Sequence, residues 1–299
     1  MALVPFDDRD GLIWWDGKLI PWRDAKLHVL SHGLHYGSAV FEGERSYGGN
    51  IFKLDEHTAR LIKSGQILGF EIPYTHEQIN QACIETLKAS GLKDAYIRPL
   101  AWRGSEQLAV SAQQTTIHLM IACWEWPNLF GADRMKGVRL GIADWRRPHP
   151  QTAPTASKAA GLYMIGTLSK HKAEEEGFND ALMYTWDGYV AELTGANVFF
   201  VRDGEIHTPI PDCFLDGITR RTVMNLAKAR GIKVIERHIK PEELSTFTEA
   251  FAAGTAAEIT PIRQIGTFHY EPSNITETLK SDYEALVQLS PEDVAKRAA

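Results

Sequence analysis

Residues 11 to 30 mix apolar and polar positions around Asp16-Gly17, with Leu12-Ile13-Trp14-Trp15 before it and Lys18-Leu19-Ile20 after it. Two short strand-like runs flanking Asp-Gly predict a β-hairpin on a tight turn. Ile51-Phe52-Lys53 predicts a short strand, and Leu54, Ala59, Leu61, Ile62 and Leu68 mark the apolar side of a helix from about Asp55 to Gly69. The next helix carries its own signals: Thr75 as N-cap, Gln78 closing a capping box, then Ile79, Ala82, Cys83 and Leu87, with Gly91 as the stop. Ala95 to Trp102 alternates at period two and Thr115 to Trp124 is more apolar, so both predict strands, joined by a loop over Arg103 to Val110.

Both periodicities break over Trp124 to Asp133, which marks a domain connection. Beyond it the pattern predicts a strand at Val138 to Asp144, a basic proline-bearing loop at Arg146 to Pro150 and a helix over Ala160 to Glu176 closed by Gly177. Ala181 to Trp186, Asp187-Gly188 and Tyr189 to Glu192 predict a second hairpin, and Val198 to Val201 an apolar strand. A helix opens near Leu215 to Arg221 and ends at Gly231. The expected chain is α+β: a smaller N-terminal domain over 1–125, a linker over 126–134 and a larger C-terminal domain over 135–299, whose last residues, about 291–299, form a frayed tail.

Composition narrows the class. The 299 residues are 44% hydrophobic and 23% charged, which predicts a packed core rather than disorder. A formal charge of -6 with mixed signs disfavours a nucleic-acid or anionic-membrane surface. Cys83, Cys123 and Cys213 are odd in number and widely spaced, so no disulfide framework follows and a reducing cytoplasm is expected. The first ten residues lack a signal-peptide pattern, and no apolar run reaches membrane-spanning length.

Candidate chemistry gathers around Lys158, which stands among small uncharged residues with Tyr163 five positions on. A desolvated lysine amine can be an imine-forming nucleophile, although most lysines are simply solvated. His28, His32 and His35 match no zinc spacing, so no metal is expected; Gly33, Gly37, Ser38 and Gly43 beside Tyr36 and Phe41 suit either a backbone held close to a ligand or an ordinary tight turn. Arg60 lies within its helix, as a rim residue or an inward anion ligand. Tyr96 and Arg98 share a strand face, fit for a carboxylate or for water. Glu192 ends a strand between apolar segments, where a carboxylate either meets a cation or lies exposed in the loop. Gly217 and Thr219 open a helix whose free N–H groups suit a phosphate, and Thr255 could add a hydroxyl. Neither a Gly-x-Gly-x-x-Gly motif after a strand nor a Walker-type loop is present.

In combination these motifs resemble the branched-chain-amino-acid aminotransferases, within the fold-type-IV pyridoxal-phosphate enzymes. The resemblance runs from about Trp15 to Tyr270. It rests on Ser31 to Gly43 with Arg45, Tyr96-Ile-Arg-Pro99, Lys158 with Tyr163, Glu192 to Asn197, Leu215 to Thr219 and Gly254 to Pro261. It implies two α/β domains, the second built on a barrel-like sheet, and pyridoxal 5'-phosphate as cofactor. Lys158 matches the imine-forming lysine that also carries the proton, Glu192 the partner of the pyridine nitrogen, and Tyr163 the partner of the ring hydroxyl. Leu215 matches the residue packed on the ring. Arg60, Gly217, Ile218, Thr219 and Thr255 match the phosphate cup, and Tyr36, Phe41, Gly43, Tyr96, Arg98, Thr255 and Ala256 match the substrate's surroundings.

The implied reaction is ping-pong transfer of an amino group between L-leucine, L-isoleucine or L-valine and 2-oxoglutarate. Related enzymes of this fold act instead on D-amino acids or (R)-amines, or are aminodeoxychorismate-type lyases. Three positions depart from the family pattern: the 105–110 loop, Ala196 where glutamate is frequent, and Glu44 where an aliphatic residue is frequent. They bear on substrate range and acceptor preference. Partners implied are small amino and oxo acids and other copies of the chain, as a homodimer or a higher homo-oligomer in which the 105–110 loop reaches the neighbouring site.

Overall fold

The computed structural model describes residues 4–126, 136–290 and 292–294. Most of the expected 126–134 linker and of the terminal tail lies outside the described residues. The chain forms two units, Met1–Trp126 with Ser157–Gly161 and Pro127–Ala156 with Leu162–Ala299, so the segment carrying Lys158 belongs with the first.

The first unit is built on a seven-stranded sheet. Its strands are β1 (Leu12–Trp15), β2 (Lys18–Pro21), β3 (Ala39–Phe41), β4 (Glu44–Tyr47), β5 (Asn50–Ile51), β6 (Ala95–Arg103) and β7 (Ile117–Trp124). They run in the order β2-β1-β7-β6-β4-β5, with β3 also on β6, and every pair is antiparallel. The first hairpin forms because Asp16 and Gly17 both take positive φ, as its two-residue turn demands. Of the residues expected in the first short strand, only Ile51 is in β5; Phe52 and Lys53 turn into a helix.

The helices of this unit are α1 (His32–Tyr36), α2 (Leu54–Ile67) and α3 (His76–Ser90). The capping box at Thr75 and Gln78 is present, and Gly91 ends α3 in the left-handed conformation. Ile79, Ala82, Cys83 and Leu87 of α3 pack with Leu61 of α2 and with Ile97, Leu119 and Ile121 of the sheet. The buried face of α2 differs from the expected one. Ala59 is exposed, and His57, Thr58, Leu61, Ser64 and Gly65 point inward. A count of apolar spacing passes over polar side chains that find buried partners.

The second unit carries a nine-stranded sheet. It comprises β8 (Val138–Arg147), β9 (Asp180–Thr185), β10 (Val190–Leu193), β11 (Asn197–Arg202), β12 (Glu205–Thr208), β13 (Val234–Glu236), β14 (Glu249–Gly254), β15 (Glu258–Ile265) and β16 (Phe268–His269). The order is β10-β9-β8-β15-β14-β11-β12-β13, with β16 on β15. The connectivity forces this sheet to curl. β10 and β11 stand five strand steps apart, roughly 24 Å if the sheet were flat. Yet only Thr194–Ala196 joins them, a link that reaches at most about 14 Å. The Leu193 N–H also donates to Ala196 O at 2.8 Å. A barrel-like curvature resolves the mismatch.

Among the described residues this unit also has the helices α4 (Met164–Glu175), α5 (Ile218–Ala229) and α6 (Asn274–Val287). α4 packs on β8 and β9 through Ala143, Ala173, Ala181 and Met183, and α6 on β14 and β15. The main core joins Val138, Leu140, Leu182, Val198, Phe200, Ala250, Ala252 and Ile262. The basic stretch read as a loop from Arg146 is corrected in part. Arg146 and Arg147 extend β8, paired with Tyr184 and Thr185 of β9. Among the described residues, no helix is long and apolar enough to cross a membrane.

Candidate active site

The segment carrying Lys158 is fastened within the first unit at four points. The Lys158 backbone N–H donates to Ser64 Oγ of α2 at 3.0 Å, and the Lys158 carbonyl accepts from Phe41 N–H at 3.1 Å. Ser157 Oγ donates to Ser64 O at 3.0 Å, and Ala159 bridges to Val40. Lys158 is partly buried, and its Nζ sits 5.1 Å from the centroid of the Phe41 ring. Gly37 and Gly161 allow the close pass that follows: a Cβ on Gly37, whose φ is +65°, would lie 3.1 Å from Gly161 Cα.

Phe41 also links the expected substrate group. The Arg98 guanidinium lies 4.6 Å from the Phe41 centroid and donates to Tyr96 Oη at 2.9 Å. Gly43 meets the same tyrosine so closely that an added Cβ would fall 2.0 Å from Tyr96 Oη. Phe41, Gly43, Tyr96 and Arg98 are thus brought together, whereas Tyr36 is half exposed and stacks on His32 at 4.5 Å. Each of the three histidines meets a backbone group. His32 and His35 meet the carbonyls of Ala109 and Val29, and His28 Nδ1 accepts from Leu30 N–H. No group of residues able to hold a metal exists among the described residues.

Arg60 turns its Nε–Nη2 edge to Glu42, donating to Oε1 at 2.6 Å and Oε2 at 2.8 Å. Glu42 is fully buried and also meets His57 Nδ1 at 2.6 Å. Burial opposes ionisation of Glu42, but the Arg60 charge and hydrogen bonds, with help from His57, outweigh it and hold the carboxyl below the usual range. Burial lowers the pKa of His57 despite Glu42, so the ring is a neutral donor to the carboxylate. Glu44, two residues on and also fully buried, differs. Neither of its carboxyl oxygens has a hydrogen-bond partner in good geometry, although the Cys83 thiol interacts with it. Burial, and then the neighbouring Glu42, raise its pKa well above normal.

In the second unit Glu192 is 7% exposed on β10. Arg147 Nε lies 2.9 Å from Oε1, as an ion pair rather than an aligned hydrogen bond. Asn197 Nδ2 donates to Oε2 at 3.3 Å and to Leu215 O at 3.0 Å. The carboxylate has met a buried cation, and the loop-exposed alternative is excluded. Gly217 follows closely, since a Cβ there would lie 2.2 Å from Asn197 Oδ1. Gly217 is the N-cap of α5 and supplies no side-chain cap, so the first-turn N–H groups of Ile218 and Thr219 are positioned for an anion. Tyr163 caps α4 by position. Thr255 and Ala256 lie in the β14–β15 turn, where Gly254 touches Ala196: a Cβ on the glycine would be 3.2 Å from that of the alanine.

Residue-by-residue reading of the sequence missed Glu42, His57 and Arg147. The only signal was a pair of glutamates, Glu42 and Glu44, amid small and apolar neighbours. Arg147 gave none, because its partner lies 45 residues away in the chain, from 147 to 192.

Comparison with known proteins agrees across the chain. The family model "Amino-transferase class IV" matches residues 39–265. The branched-chain-amino-acid aminotransferase of Pseudomonas aeruginosa is 41% identical over 290 residues, 94% of each chain. The crystal structure of the branched-chain aminotransferase of Thermoproteus uzoniensis with norvaline superposes with a TM-score of 0.92 at 36% identity, covering 96% of this chain and 98% of that one. The T.th. branched-chain amino acid aminotransferase complexed with N-(5'-phosphopyridoxyl)-L-glutamate gives 0.91 at 36% identity, covering 96% and 97%. A match of this length and identity shows that the chain belongs to the branched-chain-amino-acid aminotransferase family of class IV aminotransferases.

Proposed function

We propose that this protein is a pyridoxal 5'-phosphate-dependent transaminase moving the amino group between branched-chain L-amino acids and 2-oxoglutarate. The observation that carries this reading is the near-complete match to the aminotransferase complexed with N-(5'-phosphopyridoxyl)-L-glutamate, a cofactor–glutamate conjugate. The residues present fit the cofactor. A buried carboxylate, Glu192, suits a ring nitrogen, and the α5 N-terminus, uncapped by any side chain, suits a phosphate.

When bound, the cofactor supplies an electron sink for the charge left as the substrate loses its α-proton. The chain's own residues do the rest. Glu192 holds a proton at the ring nitrogen, and Tyr163 binds the ring hydroxyl. Leu215 packs on the ring. The backbone N–H of Ile218, with Gly217, Thr219, Thr255 and Arg60, binds the phosphate. Lys158 Nζ takes the α-proton and returns it, as general base and then general acid. Arg98 and Tyr96 orient the substrate carboxylate. Phe41, Gly43, Tyr36 and Ala256 bound the side chain and keep water from it. We propose further that the protein works as a homodimer or larger homo-oligomer in the cytoplasm, with the 105–110 loop completing a neighbour's site.

The test is an amino-donor panel with 2-oxoglutarate and pyruvate as acceptors. L-leucine, L-isoleucine and L-valine should react with 2-oxoglutarate, and Lys158→Ala should abolish turnover while the fold survives. Preference for D-alanine or (R)-phenylethylamine, or turnover retained in Lys158→Ala, would overturn the assignment.

A further inference from the structure

Arg147 and Glu192 lie on strands separated by β9, yet their charged groups meet. Two register irregularities explain how. The β8–β9 pairing shifts between Ile142 and Arg146, and the β10–β9 pairing shifts between Val190 and Leu193. A register irregularity re-aims the side chains in and beside it: the one on β8 ends just before Arg147, and the one on β10 contains Glu192. Arg147 is 8% exposed and Glu192 7%. The guanidinium does more than pair with the carboxylate: its Nη2 donates to Leu193 O at 3.4 Å and to Thr194 O at 3.2 Å. Asn197 occupies the other carboxylate oxygen. The Cys213 thiol also interacts with this pair. Burial, Asp212 and Glu192 push its pKa up to about 12, so it adds no charge at neutral pH.

We propose that Arg147 is a positioning residue for the reaction, fixing Glu192 as an oriented anion for the cofactor's ring nitrogen. The proposal rests on the role assigned to Glu192 above. A buried carboxylate without a cation takes up a proton rather than remain charged. One proton is then shared between Glu192 and the ring nitrogen, and a neutral surrounding favours the arrangement in which the carboxyl keeps it. Arginine stays charged at every working pH, so it biases that proton toward nitrogen permanently. The alternative role is a brace: the same guanidinium ties Leu193 and Thr194 to the end of β8 and would matter only for stability.

The experiment follows the absorbance of the holoenzyme's bound cofactor across pH, with the pyridoxal 5'-phosphate dissociation constant and the thermal midpoint, in Arg147→Gln, Arg147→Lys and Glu192→Gln. Arg147→Gln should displace the cofactor titration by about one pH unit or more and weaken cofactor binding roughly tenfold. Its kcat should fall more than KM for L-leucine changes, and Arg147→Lys should recover part of each effect. Should Arg147→Gln fail to fold, the lysine variant decides, because its ammonium keeps the charge beside Glu192 but cannot brace both carbonyls; a cofactor titration displaced in it as far as in Glu192→Gln, although the charge is kept, overturns the proposal. A wild-type titration and affinity in a folded, merely less stable Arg147→Gln, with Glu192→Gln shifted, overturns the role of Arg147 alone. An unshifted Glu192→Gln overturns the role of Glu192 and with it this proposal.

Discussion

A methyl group at position 43 has nowhere to go. It would lie 2.0 Å from Tyr96 Oη and 2.8 Å from Cζ, and the Tyr96 ring is stacked on Trp126 with centroids 4.4 Å apart. The ring therefore cannot yield without leaving its stack and the hydrogen bond from Arg98. Overpacking of this kind costs about 1–3 kcal/mol. Gly43→Ala should lower the thermal midpoint and raise KM for L-leucine several-fold, since Tyr96 and Arg98 are proposed to orient its carboxylate. An unchanged KM with a lowered midpoint would separate Gly43 from the substrate. The sequence displays such a glycine but not its reason, because the tyrosine that forbids a side chain stands more than fifty positions on. Glu42 was hidden at shorter range, its partners His57 and Arg60 standing 15 and 18 positions on, in α2.

α2 is where element-level reading and structure part company. Its length and ends were legible to within two residues, because Leu54, Leu61 and Leu68 mark the turns. Its inward face was not, because four of the five buried positions, His57, Thr58, Ser64 and Gly65, are polar or small. Each polar one is buried against a specific partner: His57 against Glu42, Thr58 against Asn80, and Ser64 against the Ser157-Lys158 segment. α2 thus acts as the seat of Lys158 as much as a core helix. Ser64→Ala removes the acceptor that Lys158 N–H reaches at 3.0 Å while leaving the Ser64 carbonyl in place. A buried hydrogen bond lost this way costs about 1–3 kcal/mol. The variant should show a lower thermal midpoint together with a reduced kcat, as the lysine segment loosens. Full kcat at normal KM would mean that the segment is held without the Lys158 N–H to Ser64 Oγ bond. The hairpins and α3 needed no such long-range knowledge, since Asp-Gly turns and a capping box encode them locally.

The stability of the whole molecule should carry the signature of its buried acids in opposite senses. Glu42 has a folded-state pKa below that of the unfolded chain, so its contribution is complete above about pH 4.3 and is lost as the pH falls. His57, also lowered, likewise favours the folded state at higher pH and opposes it below about 6.5. Glu44 works the other way. Its folded-state pKa is raised, so above about pH 4.3 the unfolded chain sheds a proton that the folded chain keeps, and stability falls as the pH rises. An aliphatic residue at this position would titrate in neither state. Glu44→Leu should therefore stabilise the protein, by roughly 1–3 kcal/mol from the removal of a buried polar group without a well-formed partner. The gain should widen by up to about 1.4 kcal/mol for each pH unit until the folded-state pKa of Glu44 is passed. Thermal midpoints of the two proteins at about pH 5 and about pH 8 test the sign directly. A difference in midpoint that is the same at both would mean that Glu44 titrates alike in the folded and unfolded chains, and the account of it as a buried neutral acid beside the Glu42–Arg60 pair would fail.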